Sequence, residues 1–185
     1  MPSPVRLERH GTPHARIVAW LVNYEARTPG VQAAAEASAR LDLDNEPQPD
    51  GMLLISPECG GRTAVSGDDY VEGGPELVAE VASSSVSIDL NLKFHVYRRN
   101  GVEEYLVWRV LDGQVDWFRL RDGEYRRLEP DASGIVRSEM FPGLWLNVPA
   151  LLGGDMGRVL AVLDEGVRSA EHAAFVEALG RRKAR

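Results

Sequence analysis

Glu76-Leu77-Val78-Ala79-Glu80-Val81-Ala82-Ser83-Ser84-Ser85-Val86-Ser87-Ile88-Asp89-Leu90-Asn91-Leu92-Lys93 is the stretch on which the fold turns. It opens with a short apolar run, Glu76 to Ala82, that reads as a strand buried on both faces. Three serines follow, and a helix is expected from about Val86 to Arg99, with Gly101 as its C-cap. Glu80 lies inside the apolar run. An unpaired buried carboxylate is so costly that Glu80 needs a metal, a cation or several donors. A structural ion pair with an arginine is the plainer alternative. Lys93 lies 13 residues beyond Glu80, in the first turns of the helix. That is near the C-terminal end of the strand, where open sheets place their sites.

Lysine is scarce in this chain. Of 21 basic residues only Lys93 and Lys183 are lysine, and Lys183 lies in a basic tail with Arg181, Arg182 and Arg185. Where a charge only needs solvating, the chain uses arginine. A lysine at one internal position suggests a compact point charge, since the two residues are not interchangeable. Asp89 is four residues before Lys93, so it forms either an exposed helical pair with it or a partner that supports it in the site.

Outward from this segment, Thr12-Pro13 reads as a helix start with Thr12 as N-cap. Ile17, Val18, Leu21 and Val22 continue it at helical spacing until Pro29-Gly30. Ala37, Ala39, Leu41 and Leu43 alternate with polar residues and predict a half-buried strand. Residues 45–49 form a turn before an apolar strand, Met52 to Ile55, and Asp50 stands at its mouth. Pro-Asp-Gly is also ordinary turn chemistry. Pro57 to Pro75 predicts loop with a weak hairpin. Asp112-Gly113 is a strong hairpin signal between strands at 103–110 and 114–120. Another strand is expected at 124–128, a strand or packed loop at 141–146, and one long helix at 155–179. The order suggests an α+β or mixed α/β architecture on one central sheet. The expected division is a domain over 1–152 with a C-terminal helix and basic tail, 153–185, appended to it.

The chain has 185 residues, 44% hydrophobic and 26% charged, which suits one globular domain with a sizeable core. Cys59 is the single cysteine, so an intramolecular disulfide is excluded and a reducing compartment fits. The N-terminus lacks the apolar core of a signal peptide, and no apolar run spans a bilayer, so the cytoplasm is expected. The net charge of −7 runs against nucleic-acid binding. Its distribution matters more. Glu36 to Glu80 holds eleven acidic residues against two basic ones, a local −9, and the remainder carries +2. A carboxylate-rich pocket repels DNA by itself but attracts a divalent cation, which inverts the local field. His10, His14, His95 and His172 show no metal-ligand spacing, so zinc is not expected. No nucleophile elbow or P-loop is present. The four tryptophans read as core or dimer packing.

Several motifs then occur in order: Gln48-Pro49-Asp50, Pro75-Glu76-Leu77-Val78-Ala79-Glu80-Val81 with its serines, Asp89-Leu90 and Lys93, Tyr97, and Gly101-Val102-Glu103-Glu104-Tyr105. Together they resemble the Uma-type putative restriction endonuclease family. Arg121-Asp122-Gly123 and Phe141-Pro142-Gly143-Leu144 look like its C-terminal half, so the resemblance covers roughly residues 10 to 152. That family belongs to the PD-(D/E)XK nuclease superfamily. The resemblance implies a restriction-endonuclease-like fold, with a central mixed sheet flanked by helices. It also implies Mg²⁺ or Mn²⁺, a nucleic-acid substrate with DNA expected, and a homodimer with no membrane partner. Asp50 matches the Pro-Asp carboxylate and Glu80 the second acid. The superfamily's lysine stands two residues beyond that acid, where this chain has Ala82. Lys93 takes over from the adjacent helix, as the family's Asp-Leu-x-x-Lys pattern implies. Asp50, Glu80 and the Val81 carbonyl would hold the metal, Lys93 would orient water or stabilise charge, and Ser84 and Ser85 would cradle phosphate. The rival expectation is a catalytically inactive module that uses the same fold for protein interaction.

Overall fold

The computed structural model describes residues 6–82 and 88–184, with the side chains of 88–90 left out. Its centre is a six-stranded sheet of β1 (Val31–Ala34), β3 (Gly51–Ile55), β6 (Leu77–Ala82), β7 (Glu104–Arg109), β8 (Gln114–Arg121) and β9 (Glu124–Arg127), in that spatial order. Only β6 and β7 are parallel, so the sheet is mixed. The connection between those two strands carries α2 (Ile88–Arg99). Parallel neighbours need such a crossover. Gly101, at φ 72°, closes α2 as expected. The expected helix start at Val86 and the phosphate-binding role of Ser84 and Ser85 lie outside the described residues, as does the side chain of Asp89.

Period-2 alternation along β6 divides its side chains between two layers. Leu77, Ala79 and Val81 join the main core with Ile17, Trp20 and Leu21 of α1 (Thr12–Glu25). Val78 faces the other way and packs with Tyr97, Val102, Tyr105 and Val107. The sheet is thus flanked by α1 on one face and α2 on the other. Glu80, in phase with Val78, is directed to the α2 face.

Three expectations need correction. Thr12 does not cap α1. A π-helical turn at Leu7–Gly11 runs straight into the helix, with the His10 and Gly11 N–H groups donating to the Arg6 carbonyl. Second, the alternating stretch at 37–44 yields only β2 (Ala39–Arg40), paired in parallel with β5 (Val71–Glu72). β5 also pairs with β4 (Ala64–Val65), which gives a small second sheet containing the weak hairpin expected there. Leu43 is fully exposed and Asp42 turns back to pair with Asn45, so the pattern had too little to bury. The edge strand β1 was hidden in Val31-Gln32-Ala33-Ala34 instead.

Third, the single helix expected at 155–179 is two, and a further short helix precedes them. Residues 135–147 first form a hairpin of β10 (Ile135–Arg137) and β11 (Trp145–Asn147). Then follow α3 (Val148–Gly153), α4 (Met156–Val167) and α5 (Ala170–Lys183). Gly154 at φ 79° ends α3, and Asp155 and Ser169 cap the next two helices through their side chains. Val159, Leu163 and Leu179 are buried in the same core as α1 and β6. Trp20, Trp108 and Trp117 are also in that core, and Trp145 is half-buried beside it.

Candidate active site

Asp50 and Glu80 meet because of register. Gly51 of β3 pairs with Ala79 of β6 in an antiparallel ladder, so the residue before one lies across from the residue after the other. The Asp50 Oδ2 accepts from the Val81 N–H at 2.6 Å. In an extended strand a residue's N–H and C=O leave toward the same edge. The Val81 carbonyl therefore faces the Asp50 side, beyond the last rung with β3.

Glu80 is 5% exposed. Its Oε2 accepts from the Lys93 ammonium at 2.8 Å, and its Oε1 from the Tyr97 hydroxyl at 2.7 Å. Lys93 and Tyr97 are four residues apart, so both project from the same face of α2. Burial raises the Glu80 pKa. Lys93, by charge and hydrogen bond, and Tyr97 oppose that, while Asp50 adds to it. The same burial and the neighbouring Glu80 charge hold the Tyr97 hydroxyl protonated far above its ordinary value. Lys93, anchored on Glu80, keeps its side chain partly in solvent at 41% exposure, where a substrate can reach it.

Two histidines enter from the N-terminal side, His10 from the π-helical turn and His14 from α1. The His14 Nε2 donates to the Asp50 carbonyl at 2.8 Å, and the His10 Nε2 lies 3.3 Å from Asp50 Oδ1. Their rings stack with centroids 5.7 Å apart. Sequence reasoning set both aside for lack of a metal-binding pattern. Their i, i+4 spacing was the available signal, because it puts both rings on one helix face.

Two other glutamates of the sheet are buried and differ in kind. Glu76 accepts from the backbone N–H groups of Ile55 and Arg62. Glu104 accepts from Trp117 Nε1, Ser138 Oγ and the N–H groups of Glu139 and Met140. Those carboxylates tie segments together. The partners of Glu80, among the described residues, are a lysine and a phenol from one helix face.

The donor set at Asp50 and Glu80 is hard oxygen, which suits Mg²⁺ or Mn²⁺. No three His, Cys, Asp or Glu side chains already form a cage among the described residues. Each carboxylate has about four lone-pair directions, so both retain acceptor capacity beyond their present partners. Two carboxylates against one ammonium leave a local negative charge in a mostly buried place, which a divalent cation offsets.

The family model of Uma2, described as "Putative restriction endonuclease", matches residues 1–149. This chain belongs to that family. The Uma2 match spans every residue of the cluster just described. Among solved structures, the chain resembles a nuclease described as putative and belonging to DUF820, from Anabaena variabilis ATCC 29413. The TM-score is 0.54 at 14% identity, over 88% of this chain and 86% of that one. At that identity the likeness establishes the shared fold. None of the curated proteins compared with the chain matches it. Among the described residues, no helix of this Uma2 protein is long and apolar enough to cross a membrane.

Proposed function

We propose that this Uma2 protein is a cytoplasmic, metal-dependent endonuclease that hydrolyses phosphodiester bonds in DNA, with Asp50, Glu80 and Lys93 as its catalytic residues. The Lys93–Glu80 contact at 2.8 Å supports this reading most. It places a rare lysine on the carboxylate that the sequence singles out, although Ala82 carries no cation. Asp50, Glu80 and the Val81 carbonyl are the proposed ligands. A bound Mg²⁺ or Mn²⁺ supplies Lewis-acid polarisation of a phosphoryl oxygen and an acidified water.

The chain's own groups do the rest. The Val81 N–H and His10 hold the Asp50 carboxylate in place, and the Tyr97 hydroxyl fixes Glu80. The Lys93 ammonium, positioned by its contact with Glu80, stabilises negative charge that develops on phosphate or orients the attacking water. The test is incubation with supercoiled plasmid, single-stranded DNA and RNA in Mg²⁺ or Mn²⁺. Nicking of DNA that EDTA abolishes is expected. No cleavage of any nucleic acid would favour the inactive interaction module, the reading that Ala82 invites. A homodimer is the proposed assembly. Light scattering should then return twice the 20.4 kDa chain mass, and a monomer at working concentration contradicts it.

A further inference from the structure

The sheet face that carries Glu80 continues across β7 and β8. Register sets Glu80 opposite Val107 and Val107 opposite Asp116, one row across three strands. At ~4.8 Å per strand, the ends of that row are about 10 Å apart. Beside it lies a cavity of about 210 Å³, lined by Asn91, Phe94, Tyr105, Val107, Asp116 and Phe118. That is below the roughly 300–1,000 Å³ typical of drug-sized ligands, so it suits a single ring system rather than a whole cofactor.

The lining has two kinds of chemistry. Phe94 and Phe118, with ring centroids 5.3 Å apart, offer aromatic surface. Asn91, Tyr105 and Asp116 offer hydrogen-bonding groups. The Tyr105 hydroxyl is buried with no hydrogen-bond partner, the one such side-chain atom among the described residues. Such orphans are rare in folded proteins and call for an explanation. The Asp116 carboxylate is held by Arg109 at 2.8 Å and Arg127 at 2.9 Å, which fixes its direction and leaves it acceptor capacity. An aromatic surface combined with a hydrogen-bonding edge is how proteins hold an unstacked nucleobase.

We propose that this cavity is a nucleobase subsite that holds the base adjacent to the cleaved phosphate, an inference that rests on the nuclease reading. Asp116 accepts from an exocyclic amino group, as acidic residues do toward cytosine. Bases with an amino group therefore bind, and thymine binds weakest.

The test titrates dAMP, dGMP, dCMP and TMP separately into the full chain and follows the ring resonances of Phe94, Phe118 and Tyr105 by NMR. Saturable shifts are expected for the amino-bearing nucleotides. Affinity should fall at least tenfold in both Asn91→Ala and Tyr105→Phe. Asn91 is exposed, and Tyr105→Phe removes only an unpartnered hydroxyl, so both variants keep the fold. No saturable shift with any of the four nucleotides, or unchanged affinity in both variants, overturns the subsite. Binding is read without cleavage. A protein that cleaves DNA but binds no base loses only the subsite, and one that binds bases but cleaves nothing loses the nuclease reading and, with it, the subsite's place beside a cleaved phosphate.

Discussion

Three glutamates of the sheet are buried, and their surroundings assign them different work. Glu104 is enclosed entirely, and burial pushes its carboxyl from the ordinary 4.5 up to about 7 against the pull of three hydrogen-bond donors and the Arg119 charge. Its folded value exceeds its unfolded one, so the folded state binds the proton more tightly. The resulting stabilisation is complete below about pH 4.5 and is lost as pH rises through about 7. Urea unfolding should therefore lose about 3 kcal/mol between pH 4.5 and 8 through this group. Glu80 is shifted the same way by burial, so Glu104→Gln isolates the Glu104 share. The slope should shrink in that variant, and an unchanged slope contradicts the assignment. Glu104→Gln should also cost roughly 1–3 kcal/mol at low pH, because an amide N–H₂ then faces existing donors. Glu80 was legible in sequence because it interrupts an apolar strand. Glu76 and Glu104 were not, because each stands at a strand end, where a carboxylate reads as solvated. Their donors come from residues 21 and 35 positions away, among others, and only the fold brings these together.

At the scale of elements, local chemistry was readable where a turn residue or a buried run decided the outcome. Asp112-Gly113 between β7 and β8, and the Gly101 cap of α2, are such cases. Alternation without bulk misled at 37–44, where small side chains bury little. The break before Ser169 was overlooked, although Ser169 is a good N-cap, because the apolar spacing continues across it. Packing between elements was invisible in sequence. α4 crosses the loop before β11 so closely that a Cβ at Gly166 would lie 2.2 Å from the Gly143 carbonyl oxygen. Gly166→Ala should destabilise the protein by about 1–3 kcal/mol, the usual cost of overpacking. Gly180→Ala meets no atom within 4 Å and serves as the control. It should be neutral or stabilise by up to about 1 kcal/mol, from helix propensity alone. Denaturant midpoints of the two variants decide this, and equal shifts would contradict the crossing.

The whole molecule explains why the residues after 152 matter. Val159, Leu163 and Leu179 have at most 1% exposure and lie in the main core. Each such side chain contributes about 1.5–3 kcal/mol by burial, against a total domain stability of roughly 5–15 kcal/mol. Truncation after Leu152 should therefore abolish cooperative thermal unfolding, as followed by circular dichroism. A truncated chain with the parent's melting temperature would show an independent tail. Lys183, the second lysine, reaches Glu58 at 2.6 Å, but both ends are more than half exposed, so that pair adds little. Much of the acidity between residues 36 and 80 is likewise matched by long-range partners. Asp68 pairs with Arg40, and Asp42 with Arg99 and Asn100. The mixed sheet and its two helical layers were foreseeable from element order and family resemblance. The histidine contacts with Asp50 were not, because they join the π-helical turn and the first helix to a strand that begins 37 residues after His14.

The measurement that bears most directly on the account is the rate of plasmid nicking by the Lys93→Ala variant beside the parent protein at saturating Mn²⁺, with Mn²⁺ affinity measured for both. The account predicts that the parent nicks DNA. The variant should be slower by a factor of about 10² or more while binding Mn²⁺ at least as tightly, since a positive charge has been removed from beside the ligands. An equal rate in the variant, or no nicking by the parent, would contradict it.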